Sequence, residues 1–146
     1  MTTNIKAKEI VDKWGPALTK AILDGDLSTF KELFVSEPVA VVLQNGEGVE
    51  AEFTIGDGEE ATLTWGEFHE LTTKDLKEQS FLKSESQCLG VLGDRLIMEV
   101  GRFNKDGEVY AEAYSLLTFN EEGKIVAVEA FSNPEVESLI AAVSSK

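Results

Sequence analysis

The 146-residue chain has one cysteine, one histidine, three prolines and two methionines. A single thiol, Cys88, cannot close an internal disulfide, and usage this sparse fits a reducing cytoplasm. A lone histidine excludes the usual zinc spacings of paired Cys and His ligands. Long apolar runs are missing too. No stretch reaches the roughly 18 residues a membrane span needs, and the first fourteen residues contain no apolar signal core. Basic side chains are scarce, 13 against 27 acids, for a net charge of −14. Ten of those acids fall within residues 44–79, opposed there by Lys74 and Lys77 alone. Such a surface repels phosphate backbones and anionic lipid, so neither nucleic acid nor membrane is expected as a partner. The acids at 44–60 do not follow the calcium-loop pattern, and no phosphate loop or dinucleotide fingerprint is present. No cofactor or metal is implied.

What is present is a globular composition, 42% apolar, of the length of one domain spanning residues 1–146. Apolar residues at Ala7, Ile10, Val11, Trp14, Leu18, Ala21 and Ile22 recur at helical spacing. Gly15-Pro16 predicts a kink or a fresh start within that helix. Gly25 suits its stop, and Asp26 is placed to cap a short second helix carrying Leu27, Phe30, Leu33 and Phe34. Val39–Leu43 reads as a buried strand, Asn45-Gly46 as a turn, and Ala51–Ile55 as a second strand. Thr64 and Glu67 have capping-box spacing for a helix running to about Gln79, with Leu63 set to staple onto Phe68. Inward positions are Trp65, Phe68, Leu71 or Thr72, and Leu76. Asn133-Pro134 opens a last helix with Val136, Leu139, Ile140 and Val143 on its apolar face.

Between these helices, residues 81–92, 95–103, 108–119 and 124–132 form four strands joined by Gly93-Asp94, Asn104–Gly107 and Asn120–Gly123. Consecutive hairpins of this kind make a meander. Four-residue loops place Arg102 opposite Val109 and Ser115 opposite Val128; a shorter loop changes partners but not faces. One face then holds Leu96, Met98, Val100, Arg102, Val109, Ala111, Ala113, Ser115, Leu117, Val128, Ala130 and Ser132. The other holds Ile97, Glu99, Phe103, Tyr110, Glu112, Tyr114, Leu116, Glu129 and Phe131. The first is hollowed by small residues and fits a ligand pocket. The second mixes aromatics with carboxylates and fits a partner surface, used twice in a homodimer.

Three segments resemble the nuclear transport factor 2-like superfamily, which includes ketosteroid isomerases and SnoaL-like polyketide cyclases: AILDGDLSTFKELF at 21–34, the helix start Thr64–Phe68, and LTFNEEGKIV at 117–126. The resemblance implies a cystatin-like α+β cone. In it a curved antiparallel sheet, the four-strand meander plus N-terminal strands, wraps around three N-terminal and central helices, with an extra C-terminal helix. It also implies homodimers that pack on the outer sheet face. The positions that hold the isomerase tyrosine, aspartate base and acidic donor align with Leu18, Val42 and Ser115, none of which has the required chemistry.

The expected pocket is Trp14, Leu18, Val42, Phe68, Val100, Arg102, Ser115, Val128 and Ala130, binding a small hydrophobic or amphipathic molecule without catalysis. The expected dimer surface is Tyr110, Glu112, Tyr114, Glu129 and Phe131. Arg102, able to fork onto a carboxylate, and His69 are the candidates should the pocket be that of a cyclase, dehydratase or isomerase. Glu99, Glu112 and Glu129 could perturb one another, and Cys88 is expected to be a small buried residue. A purely structural dimer with a pocket filled by Trp14 and Phe68 is the remaining alternative.

Overall fold

A computed structural model describes residues 2–131 and 136–146. The elements are α1 (Thr2–Leu23), α2 (Ser28–Lys31), β1 (Val39–Gln44), β2 (Val49–Gly56), β3 (Leu63–Thr64), α3 (Trp65–Glu78), β4 (Phe81–Leu92), β5 (Arg95–Asn104), β6 (Val109–Phe119), β7 (Ile125–Phe131) and α4 (Glu137–Ser144). One seven-stranded sheet runs β3-β2-β1-β7-β6-β5-β4. It is mixed, because β7 lies parallel to β1 and β3 parallel to β2. Helix α3 carries the chain from the β3 edge to the β4 edge, and the meander then returns it beside β1. The described residues thus form an α+β fold whose helices cover one face of the sheet.

Helix α1 is continuous through Pro16 rather than restarting. Gly15 lies where the helix meets β4: a Cβ built there would sit 2.6 Å from the Ser84 carbonyl oxygen. Thr19, one turn on, donates its hydroxyl to Gly15 O at 2.8 Å and accepts Ser84 N–H at 3.0 Å. Asp26 does not cap α2. Its carboxylate accepts both the amide (3.1 Å) and the hydroxyl (2.6 Å) of Ser28 in a local turn, and Leu27 holds the cap position. The capping box on α3 forms in full, Glu67 N–H to Thr64 Oγ1 and Thr64 N–H to Glu67 Oε1, each 3.0 Å. That second bond holds the Glu67 carboxyl below its ordinary pKa.

The hairpins sit two residues away from the expected register. Arg102 pairs with Ala111 and Ser115 with Ala130. In each case the ladder shifts just after the turn, between Arg102 and Phe103 and between Thr118 and Phe119. Gly107 and Gly123, at φ +82° and +80°, supply the left-handed residue that such bulged loops require. An even shift preserves faces, so Leu96, Met98, Val100, Arg102 and Leu117 are buried under the helices. Val109 is the exception: beyond the bulge it pairs with Phe103 and is exposed. The helix opening expected at Asn133-Pro134, and Ser132 on the inner face, lie outside the described residues.

Helix α4 has no side-chain cap of its own. A buried carboxylate on α3 replaces it, Asp75 accepting Ser138 N–H at 3.1 Å and Ser138 Oγ–H at 2.5 Å. An anion at a helix N-terminus is favoured by both the free N–H groups and the helix dipole. Lys146 Nζ secures the other end on Thr62 O at 2.8 Å.

Candidate functional site

Between the inner face and the helices lies a cavity of about 130 Å³. Its floor is β1 and β2 (Val39, Val41, Leu43, Phe53, Ile55) and the small residues of β6 and β7 (Ala113, Ser115, Val128, Ala130). Helices α1 and α3 and the α2 segment supply Trp14, Leu18, Phe30, Phe34, Trp65, Phe68 and Thr72. Val136 and Leu139, held in place by the Asp75–Ser138 contact, close one wall. The aromatics form one cluster centred on Phe30. Its ring is 4.9 Å from Trp14 and 5.2 Å from Phe34, and it stacks on Phe68 at 6.2 Å.

Arg102 is the single charged side chain among the described lining residues. It is buried, and its Nη1 donates to Ser84 Oγ at 2.7 Å. That bond continues the path from α1 through Thr19 and the Ser84 amide, so β4 holds the guanidinium in the wall. Two further polar groups belong to the lining residues and lack a hydrogen-bond partner among the described residues: the Trp14 indole N–H and the Thr72 hydroxyl.

Of the expected pocket residues, Trp14, Leu18, Phe68, Arg102, Ser115, Val128 and Ala130 line the cavity. Val42 does not. It pairs with Glu52 on one side and Glu129 on the other, on the outer face, and Val41 and Leu43 point inward instead. Val100 is buried in the core but is not part of the cavity wall. The run Val39–Leu43 has no polar alternation of its own to set its parity. The signal lay on β2, where Glu50 and Glu52 alternate with Ala51, Phe53 and Ile55, so that the hairpin partner dictates which β1 residues face in. Phe30, Phe34 and Trp65 were readable as inward aromatics, but not as cavity lining.

His69 is not a cavity residue. Its Nε2 lies 2.6 Å from Ala21 O, a contact that ties α3 to α1. A carbonyl only accepts, so that nitrogen carries the proton. Cys88 is half-buried at a β4 irregularity, with Sγ 3.7 Å from Gly90 O. Glu99, Glu112 and Glu129 lie on the outer face and do not converge on one point. Gln44 Nε2 donates to Glu129 at 3.1 Å, while the Tyr114 hydroxyl bonds to Glu99, which pushes the phenol pKa upward. Glu112 is exposed and Tyr110 half-buried on that face. Phe131 is exposed at the end of β7, beside Gly46, and also borders the cavity mouth. No group of three potential metal ligands occurs among the described residues.

No protein-family model matches the sequence, and no curated protein matches it. Solved structures do. A de novo designed protein with a curved β-sheet superposes with a TM-score of 0.54 at 14% identity, covering 99% of this chain and 95% of that one. A de novo designed nuclear transport factor 2 fold protein gives 0.51 at 12%, covering 98% and 90%. A protein of the SnoaL-like family from Agrobacterium tumefaciens gives 0.50 at 12%, covering 90% and 97%. The chain has the nuclear transport factor 2-like fold. At this identity the likeness is one of backbone, and two of these three structures are designed proteins. The nuclear transport factor 2-like cone therefore accounts for where the cavity is; its contents follow from this chain's own side chains.

Proposed function

We propose that the protein binds a ring-sized amphipathic molecule in this cavity, with an anionic group directed to Arg102. The cavity supports this reading most directly: about 130 Å³ of space with an almost wholly apolar wall and one guanidinium. An engineered apolar cavity of roughly 150 Å³ takes benzene, and this cavity is close to that size, so a single ring is the occupant proposed. The wall has no carboxylate or imidazole among its described residues, which leaves proton-transfer chemistry without a base and favours binding over catalysis. Titration of tryptophan fluorescence with benzoate and toluene tests this, since Trp14 and Trp65 both line the site. Both ligands should bind. Arg102→Met should weaken benzoate by about tenfold or more, the loss expected for a charged hydrogen bond, while toluene changes by less than about twofold. Failure of both ligands to bind overturns the proposal.

We further propose that the outer sheet face mediates self-association. Ile97, Tyr114 and Phe131 are large apolar side chains exposed there, and the acids around them form a polar rim. Tyr114→Glu should convert a dimer to monomers in sedimentation velocity. An unchanged dimer, or a monomeric parent protein, would refute this interface.

A further inference from the structure

Trp14 and Thr72 are 9% and 8% exposed, yet the indole Nε1 and the hydroxyl Oγ1 have no hydrogen-bond partner among the described residues. Buried polar groups in folded proteins are almost always paired, and an orphan of this kind calls for a physical explanation. Of the several such atoms among the described residues, these two lie on facing helices, α1 and α3, and belong to residues of the cavity wall. Trp14 meets Phe30 edge-on, Phe30 stacks on Phe68, and Thr72 follows Phe68 by one turn of α3. The Trp14 indole can only donate, so its missing partner is an acceptor, while the Thr72 hydroxyl can give or take a proton. A hydroxyl, with one hydrogen and lone pairs to spare, has the chemistry to satisfy either group.

We infer that the occupant of this cavity carries a hydroxyl or similar oxygen on its ring, recognised by Trp14 and Thr72, in addition to whatever it presents to Arg102. This rests on the binding reading above and narrows it from apolar rings in general to oxygenated ones. A purely apolar cavity would reject such a ring, because burying a hydroxyl without replacing its water hydrogen bonds is unfavourable. The sign of the preference is therefore diagnostic.

The experiment compares two probes of nearly equal shape, p-cresol and p-xylene, by calorimetric titration of the full chain and of Thr72→Val. The substitution is near-isosteric and removes only a hydroxyl that has no partner among the described residues, so the melting temperature of the free protein should not fall. The parent protein should bind p-cresol at least as tightly as p-xylene. Thr72→Val should weaken p-cresol by about tenfold, the equivalent of one net hydrogen bond, and leave p-xylene within about twofold. Binding of p-xylene with rejection of p-cresol would overturn the inference and leave the apolar pocket standing. A p-cresol affinity that Thr72→Val does not change would overturn it equally. Failure of both probes would remove the binding reading and this inference together.

Discussion

Phe30→Ala should destabilise the protein by about 4 kcal/mol, a typical value for deleting a buried phenyl ring. For a chain of this length that lowers the melting temperature by roughly 10–15 °C. Phe30 is 2% exposed and touches Trp14, Phe34, Trp65 and Phe68. No other ring joins so many members of the cluster, and none of its neighbours can collapse onto the void without abandoning another contact. The vacated volume opens onto the existing cavity. The variant should therefore be rescued by a larger apolar ring: saturating naphthalene should restore several degrees to Phe30→Ala and little to the parent, by simple mass action on the folded state. Thermal scans with and without the ligand check both effects.

Gly15→Ala should destabilise by about 2 kcal/mol, although the position lies within a helix. Helix propensity alone favours alanine over glycine there by about 1 kcal/mol. Packing reverses the sign. The added methyl would sit 2.6 Å from Ser84 O, 3.2 Å from Ser84 C and 3.3 Å from Glu85 Cα, all backbone of a strand that cannot rotate away. Relief requires α1 to lift from β4, which also strains the Thr19–Ser84–Arg102 path beneath the cavity wall. Gly66 is the control. A methyl there meets only Thr64 Oγ1, at 3.8 Å, so Gly66→Ala should be neutral or stabilising by up to about 1 kcal/mol. Urea unfolding of the two variants against the parent separates the predictions. Equal effects at the two glycines would show that the α1–β4 approach is looser than described.

Much of the fold was legible because its signals are local. The capping box at Thr64 and Glu67, the glycine-ended turns and the alternation along 81–131 each specify one structure by short-range chemistry. What failed was long-range or unpatterned. The continuity of α1 through Pro16 depends on packing against β4. The parity of Val39–Leu43 comes from β2 and β7, whose pairing turns the expected pocket residue Val42 outward and Val41 inward. The two-residue register shift arises from bulges that leave no sequence mark beyond Gly107 and Gly123. For the site, Arg102 and the small residues of β6 and β7 followed from parity alone. Asp75 did not, and Thr72 stood only as an inward alternative to Leu71, because a buried acid serving another helix and an unpaired hydroxyl are recognisable only once the elements around them are assembled. His69 shows the opposite: the residue type suggested chemistry, and its position shows a contact between helices.

If the cavity is a ligand site and not a packing defect, it should take an aromatic acid in the crystal. A crystal structure of the protein grown with 4-bromobenzoate tests this most directly, because the bromine is located by its anomalous signal. One bromine peak per chain is expected inside the wall formed by Trp14, Phe30, Phe68 and Val128, with the carboxylate toward Arg102. A cavity closed by its own side chains, with bromine found only on the surface, would contradict it.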